Sequence, residues 1–203
     1  MKTYPSIPKI PARKSVSVDQ PVYVFDKLDG SNIRVEWSKK KGFRKFGTRK
    51  RLLDPNDEML GKACTLVDEN LADVFIKQQW QDVTAYFEYH GVNSFAGRHN
   101  PNDEHRLTLI DVNVYKRGFV PPKEFYKLFR GFDIATLLYH GIIDQPFIDE
   151  VENGELNGMT FEGVVCKYSQ KKVHKMFKLK NRAWLKKLRE FCGEDQEMFN
   201  RLS

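Results

Sequence analysis

A lysine stands directly before a glycine-containing turn in Lys27-Leu28-Asp29-Gly30-Ser31-Asn32, at the end of the β-branched and aromatic run Val22-Tyr23-Val24-Phe25. Such a lysine can serve as a nucleophile only as the neutral amine, and an ordinary one, with a pKa of about 10.4, is almost wholly protonated at neutral pH. Covalent work by Lys27 therefore requires neighbouring cations or a metal ion, which make the ammonium form costly. Lys178 and Lys180, two apart on a strand-like segment, share a face and can reach one phosphate group. Taken alone, each of these lysines also reads as a solvated side chain of a basic surface. His90, His99, His105, His140 and His174 show no metal-ligand spacing, and Cys64, Cys166 and Cys192 form neither a zinc pattern nor a disulfide framework.

Length and composition set the frame that must position these groups. A chain of 203 residues, 40% hydrophobic, has room for one substantial core and would be cramped as two full domains. The net charge of +7 favours polyanionic partners, since clustered Lys and Arg displace counterions from phosphates. The N-terminus lacks the apolar stretch of a signal peptide and no segment is long and apolar enough to span a bilayer, which points to a cytoplasmic protein with no membrane partner.

Pro5, Pro8 and Pro11 make residues 1–20 an extended arm. From Pro21 onward the pattern reads strand, tight turn, strand across the lysine motif, and Phe43-Arg44-Lys45-Phe46-Gly47-Thr48-Arg49-Lys50 supplies a third strand. Apolar residues recurring at three and four predict a helix over 57–77; strands follow at 83–89 and 107–115, separated by a polar loop. Pro121 and Pro122 start a helix whose aromatic stripe, Phe125, Tyr126, Phe129 and Phe132, belongs to the core, and a short helix covers 134–139. Strands around Val164 and Phe177 and an amphipathic helix over 183–191 complete an α+β domain of mainly antiparallel sheet.

Downstream of Lys27 come, in order, Gly47-Thr48-Arg49, Phe87-Glu88-Tyr89-His90-Gly91, Leu109-Ile110-Asp111-Val112, Glu162-Gly163-Val164-Val165-Cys166-Lys167 and Phe177-Lys178-Leu179-Lys180. This ordered series resembles the covalent nucleotidyltransferase superfamily of DNA ligases, RNA ligases and mRNA capping enzymes. The resemblance implies an ATP-grasp-like nucleotidyltransferase fold over 21–192 with helices flanking the sheets, a tail at 193–203 and, since the sequence stops about twenty residues past Lys180, no OB-fold domain. It also implies roles. Lys27 takes AMP from ATP as a lysyl-AMP phosphoramidate, assisted by Lys178 and Lys180. Glu162 is the carboxylate of the catalytic magnesium, for which manganese can substitute, and Glu88 accepts a hydrogen bond from the ribose. Arg49 grips a phosphate through its planar fork, and Asp29, Gly30, Asp111 and Lys167 complete the nucleotide contacts. The chain departs from the pattern at Ile110, where many relatives place an aromatic residue that stacks on adenine.

The Gly-Ser-Asn continuation at Asn32, the Tyr4-containing lead-in and the short C-terminus resemble RNA ligases. The expectation is an ATP-dependent RNA ligase that activates a 5′-phosphate with AMP and joins it to a 3′-hydroxyl, as in RNA repair. The alternatives are a DNA ligase that seals nicks and a non-catalytic nucleic-acid-binding relative.

Overall fold

Alternation of buried and outward side chains organises both sheets of the molecule. The computed structural model describes residues 2–10, 20–170 and 173–203. In chain order the strands are β1 (Val22–Asp26), β2 (Ser31–Ser38), β3 (Gly42–Gly47), β4 (Asp82–His90), β5 (Arg106–Val114), β6 (Gly118–Phe119), β7 (Leu137–Gly141), β8 (Gly163–Gln170) and β9 (Val173–Lys180). The helices are α1 (Leu71–Lys77), α2 (Pro122–Phe129), α3 (Gln145–Asn153), α4 (Arg182–Cys192) and α5 (Gln196–Leu202). Contacts gather these elements into two compact units, Met1–Pro5 with Gly30–Ile134, and Ser6–Asp29 with Ala135–Ser203.

The first unit is built on a five-stranded antiparallel sheet of order β3-β2-β4-β5-β6. Ile33, Val35 and Trp37 alternate along β2 and are fully buried. Trp37 meets Phe75 of α1 edge-on, and Phe75 in turn meets Phe129 of α2, so both helices seal the same face of the sheet. The other face carries Tyr4, which packs against Tyr86 and Phe119 with ring centroids 4.9 and 6.0 Å away. A register shift lies between Tyr86 and Phe87 of β4: Tyr86 pairs with Asp111, Phe87 with Leu109, and Ile110 is the extra residue of a bulge in β5. The bulge lets Leu109 stay on the helix-covered face while Asp111 points to the other.

The second unit has a four-stranded antiparallel sheet of order β7-β1-β8-β9. Val22 and Val24 of β1, Val164 and Cys166 of β8, and Phe177 and Leu179 of β9 form its core with Phe147 and Val151 of α3. Asp144 caps α3 by accepting from the Phe147 amide at 3.0 Å, and Gly154 ends it in a left-handed conformation, φ 79°. In α4, Trp184, Leu188 and Cys192 recur every four residues and are buried, capped by Asn181, which accepts from the Ala183 amide at 2.7 Å.

The expected α+β class with antiparallel sheets and flanking helices is what the structure has. Three local expectations are corrected. The helix over 57–77 is a set of turns, a 3-10 segment at Gly61–Cys64 and only then α1. Asp57 accepts from the amides of Met59 and Leu60, and Asp68 from that of Asn70, so side chains divert the hydrogen bonds a helix would need. Ala63, Val67, Leu71 and Phe75 are nonetheless buried, which explains the helical spacing. The helix over 134–139 gives way to β7, because the edge of β1 needs partners: the Asp26 amide donates to the Thr136 carbonyl at 2.8 Å and Val24 pairs with Tyr139. The third strand stops at Gly47 instead of running to 50, because the Thr48 hydroxyl accepts from the Lys50 and Arg51 amides in a local turn that presents Arg49. Helices α3 and α5 are additional to the expected elements. Of the expected N-terminal arm, 11–19 lie outside the described residues; Lys9 forms a parallel bridge with Lys178.

Candidate active site

Register places the cations of the second unit. Val165 of β8 pairs with Lys178 of β9 and with Phe25 of β1, so Lys167, Lys178 and Lys180 share the sheet face opposite the core. Lys27 continues the alternation of β1, and its amide donates to the Gly163 carbonyl at 2.9 Å. A side chain on Gly163, at φ 132°, would collide with the Leu179 carbonyl; glycine permits β9 to approach the residue that follows Glu162.

The centre of this face is Glu162, 4% exposed. Lys27 Nζ lies 2.7 Å from Glu162 Oε2, and Lys180 Nζ hydrogen-bonds the other carboxylate oxygen. Burial alone would raise the Glu162 pKa, but the charges of Lys27 and Lys180 outweigh it and hold the carboxyl below its ordinary value. Lys180 is moved from 10.5 to about 7, first by burial and then by the charge of Lys27, with Glu162 opposing and Lys178 adding to the shift. One buried carboxylate thus serves two lysines, and one of them exchanges its proton near neutrality.

Two contacts outside the expected set complete the arrangement. The Trp184 ring lies 3.6 Å from Lys180 Nζ, and its indole N–H donates to Asp29 Oδ2 at 2.6 Å. Helix α4 therefore fixes both Asp29 and Lys180. In the sequence Trp184 reads only as an apolar residue of an amphipathic helix; the cue is a tryptophan four residues after a motif lysine. Asp26, also buried, accepts from the amide and hydroxyl of Thr160 at 2.9 and 3.1 Å and anchors the approach to Glu162. Lys167 is 2% exposed, with its ammonium 5.0 Å from the centre of the Phe25 ring.

The first unit brings together a second group. The Tyr4 hydroxyl donates to Asp111 Oδ2 at 2.5 Å in a buried contact. Burial, then Asp111 and then Glu88 push the Tyr4 pKa well above its ordinary value, while Arg49 pulls the other way, so Tyr4 lies within the fields of all three. Asn32 pairs in register with Glu88, and its buried Oδ1 has no hydrogen-bond partner among the described residues. Ile110, half-buried, sits at the bulge. A Cβ on Gly30 would strike the Tyr89 carbonyl, which accounts for the glycine of the lysine motif.

His99 is a further residue the sequence does not announce. Its Nε2 is 2.8 Å from the Ser31 hydroxyl and its Nδ1 is 3.0 Å from that of Ser94, tying the 91–105 loop to the start of β2. Burial lowers its pKa from 6.5 to about 4. Because the folded value lies below the unfolded one, this group favours the folded loop above pH 6.5, and the contribution falls as pH drops from 6.5 through about 4. Amide hydrogen exchange in 91–105 is expected to accelerate over that window in wild type, beyond its intrinsic pH dependence, and to show no such step in His99→Gln.

Among the described residues no three His, Cys, Asp or Glu side chains converge as a metal cage. A magnesium ion that takes most of its ligands from phosphates and water would need no more than a single carboxylate such as that of Glu162. The cysteines are free, and no described helix is long and apolar enough to cross a membrane.

No protein-family model and no curated protein matches the chain. Solved structures do. An archaeal ATP-dependent RNA ligase superposes with a TM-score of 0.69 at 17% identity, covering 100% of this chain and 56% of that one. A protein of Aquifex aeolicus, described as an ATP-dependent DNA ligase in a name that marks the assignment as provisional, gives 0.68 at 17% identity, covering 100% and 57%. The Naegleria gruberi RNA ligase, in a mutant form with ATP and Mn, gives 0.64 at 14%, covering 92% and 58%. The chain thus spans a little over half the length of each, and the two units together have the α+β fold of the matching part of these ligases.

Proposed function

We propose that the chain is an ATP-dependent polynucleotide ligase that carries AMP on Lys27 and acts on RNA. The observation that supports this most directly is the pairing of Lys27 with the buried Glu162 at 2.7 Å, on a sheet face shared with Lys178 and Lys180. The neutral Lys27 amine attacks the α-phosphorus of ATP; a P–N bond forms, the bond to pyrophosphate breaks and the amine loses a proton. AMP then passes to an RNA 5′-phosphate, and a 3′-hydroxyl attacks that phosphate and releases AMP. Protein groups supply position and charge compensation in each step. Lys178 and Lys180 compensate phosphate charge, and Glu162 would hold magnesium, which supplies further compensation when bound. In the first unit, Glu88, in register with Asn32, is proposed to accept a hydrogen bond from the ribose. Asp111, engaged by Tyr4, is proposed to act through that contact.

The test is incubation with α-labelled ATP and magnesium, followed by peptide mapping. An acid-labile, alkali-stable adenylate on the peptide carrying Lys27 is expected, with GTP giving none. Absence of any covalent label from folded protein defeats the proposal. Sealing of RNA ends ahead of all-DNA nicks is expected in parallel assays; the reverse order assigns the DNA-ligase alternative.

A further inference from the structure

The strand ends of the first unit remote from Ser31 and His90 carry a groove of about 960 Å³ lined by residues of β2, β3, β4 and the β5–β6 turn, none of which belongs to the groups described as the candidate site. Two hairpin tips stand at the same strand ends. The β2–β3 tip is Lys39-Lys40-Lys41, all exposed, and the β5–β6 tip is Tyr115-Lys116-Arg117, with Tyr115 66% exposed. The two acids of the groove, Glu36 and Asp82, are answered by Arg44 at 3.8 and 4.0 Å, and Glu36 also by Lys45 at 3.9 Å. Among the described residues, no carboxylate pairs with the five cations of the tips. Lys2 adds a further cation to the wall.

Backbone conformation at the second tip is unusual. Lys116 has φ 62°, a left-handed conformation that costs a side-chain-bearing residue free energy and that glycine or asparagine would adopt more easily. The turn closes through the Arg117 amide and the Val114 carbonyl, and Lys116 Nζ lies 5.5 Å from the centre of the Tyr115 ring. A cation and an exposed aromatic ring are thus displayed side by side at the lip of the groove.

From these features we infer that the groove is a docking surface for a single-stranded polynucleotide, with phosphates against the two basic tips and a base stacked on Tyr115. The strand order sets the two tips about three inter-strand spacings apart, roughly 14 Å. That span admits one sugar-phosphate strand and is too narrow to seat a duplex. An open cleft with basic walls and one exposed ring is the combination that holds single strands without reading their sequence. The choice of ligand rests on the ligase reading.

Fluorescence anisotropy with a single-stranded RNA of about twelve nucleotides tests the surface. K40E/K116E/R117E is compared with K62E/K77E/K123E, which changes three exposed lysines of the same unit by the same net charge. The groove variant is expected to bind at least tenfold more weakly, and its plot of log affinity against log salt to flatten by about 2, roughly 0.7 for each phosphate no longer neutralised. The control should stay within twofold, and Tyr115→Ala alone should cost about tenfold. Lys→Gln and Arg→Gln versions at the same sites, which avoid charge reversal, should fall between. Duplex RNA is expected to distinguish the two variants little. Equal weakening by groove and control variants, no weakening by either, or no RNA binding by wild type overturns the inference. Lysyl-AMP formation by the groove variant should match wild type; if wild type itself forms none, the ligase reading fails while the comparison of affinities still decides the groove.

Discussion

Lys27→Ala is expected to take covalent labelling by ATP to background, a loss of more than a thousandfold, while the protein stays folded. The amine is the bond-forming atom of the proposed first step, and no neighbouring lysine can replace it: Lys180 is buried against Glu162 and Trp184, and Lys178 belongs to another strand. Lys27→Arg should be as inactive, because a guanidinium stays protonated and cannot attack. The folded state should survive because removing Lys27 relieves a like charge on Lys180, whose pKa then rises from about 7. Intact-mass spectrometry after incubation with ATP, beside a thermal melt, checks both halves. An adenylate of wild-type yield in Lys27→Ala would remove the central claim.

Glu162→Ala is expected to be damaging in two ways at once. It withdraws the carboxylate shared by Lys27 and Lys180 and leaves the buried Lys180 without the group that favours its charged form; breaking a buried pair from one side costs about 3 kcal/mol. The sign of the pH dependence follows from the two shifts. In wild type Glu162 is held below 4.5, so its contribution is present above that value and is lost as pH falls through the lowered folded value. Lys180 goes from 10.5 unfolded to about 7 folded, so its penalty is complete below about 7 and fades as pH rises toward 10.5. Without Glu162, the group that opposed the shift, Lys180 should titrate lower still and shed its proton more readily. The stability deficit of Glu162→Ala should therefore be larger at pH 6 than at pH 9. Urea unfolding at both values measures this, and a deficit independent of pH would show that Lys180 does not depend on Glu162. Labelling should fall at least a hundredfold in both Glu162→Ala and Glu162→Gln, since neither retains a carboxylate.

How much of this was legible before the fold was known differs by residue. Lys178 and Lys180 could be placed together because their spacing equals the strand period, and the β8–β9 register then set Lys167 on the same face. Convergence of Lys27 on Glu162 depends on β1 lying beside β8, a long-range pairing that no local spacing encodes. Trp184 escaped for the same reason: its indole reaches back across the chain to Asp29. Residues 134–139 misled because apolar side chains and an alanine suit a helix locally, while the open edge of β1 decided the outcome. Residues 57–77 misled because burial with helical spacing survived without the helical hydrogen bonds. Tyr4 was singled out by its type and place in the lead-in; its hydrogen bond to Asp111 joins residues 107 positions apart.

Ile110 stood out as a departure in side-chain type, but its bulge gives the position another meaning. A strand keeps its faces only while residues are counted in twos, and β5 contains one uncounted residue at Ile110. Deleting it would leave Leu109 and Asp111 adjacent, each still on its present face and opposite its present partner. Deleting a residue from the regular stretch beyond it would instead shift the frame and turn either Asp111 or its neighbours over. Position 110 is thus the one place in this strand where chain length can change without exchanging the carboxylate-bearing face for the core.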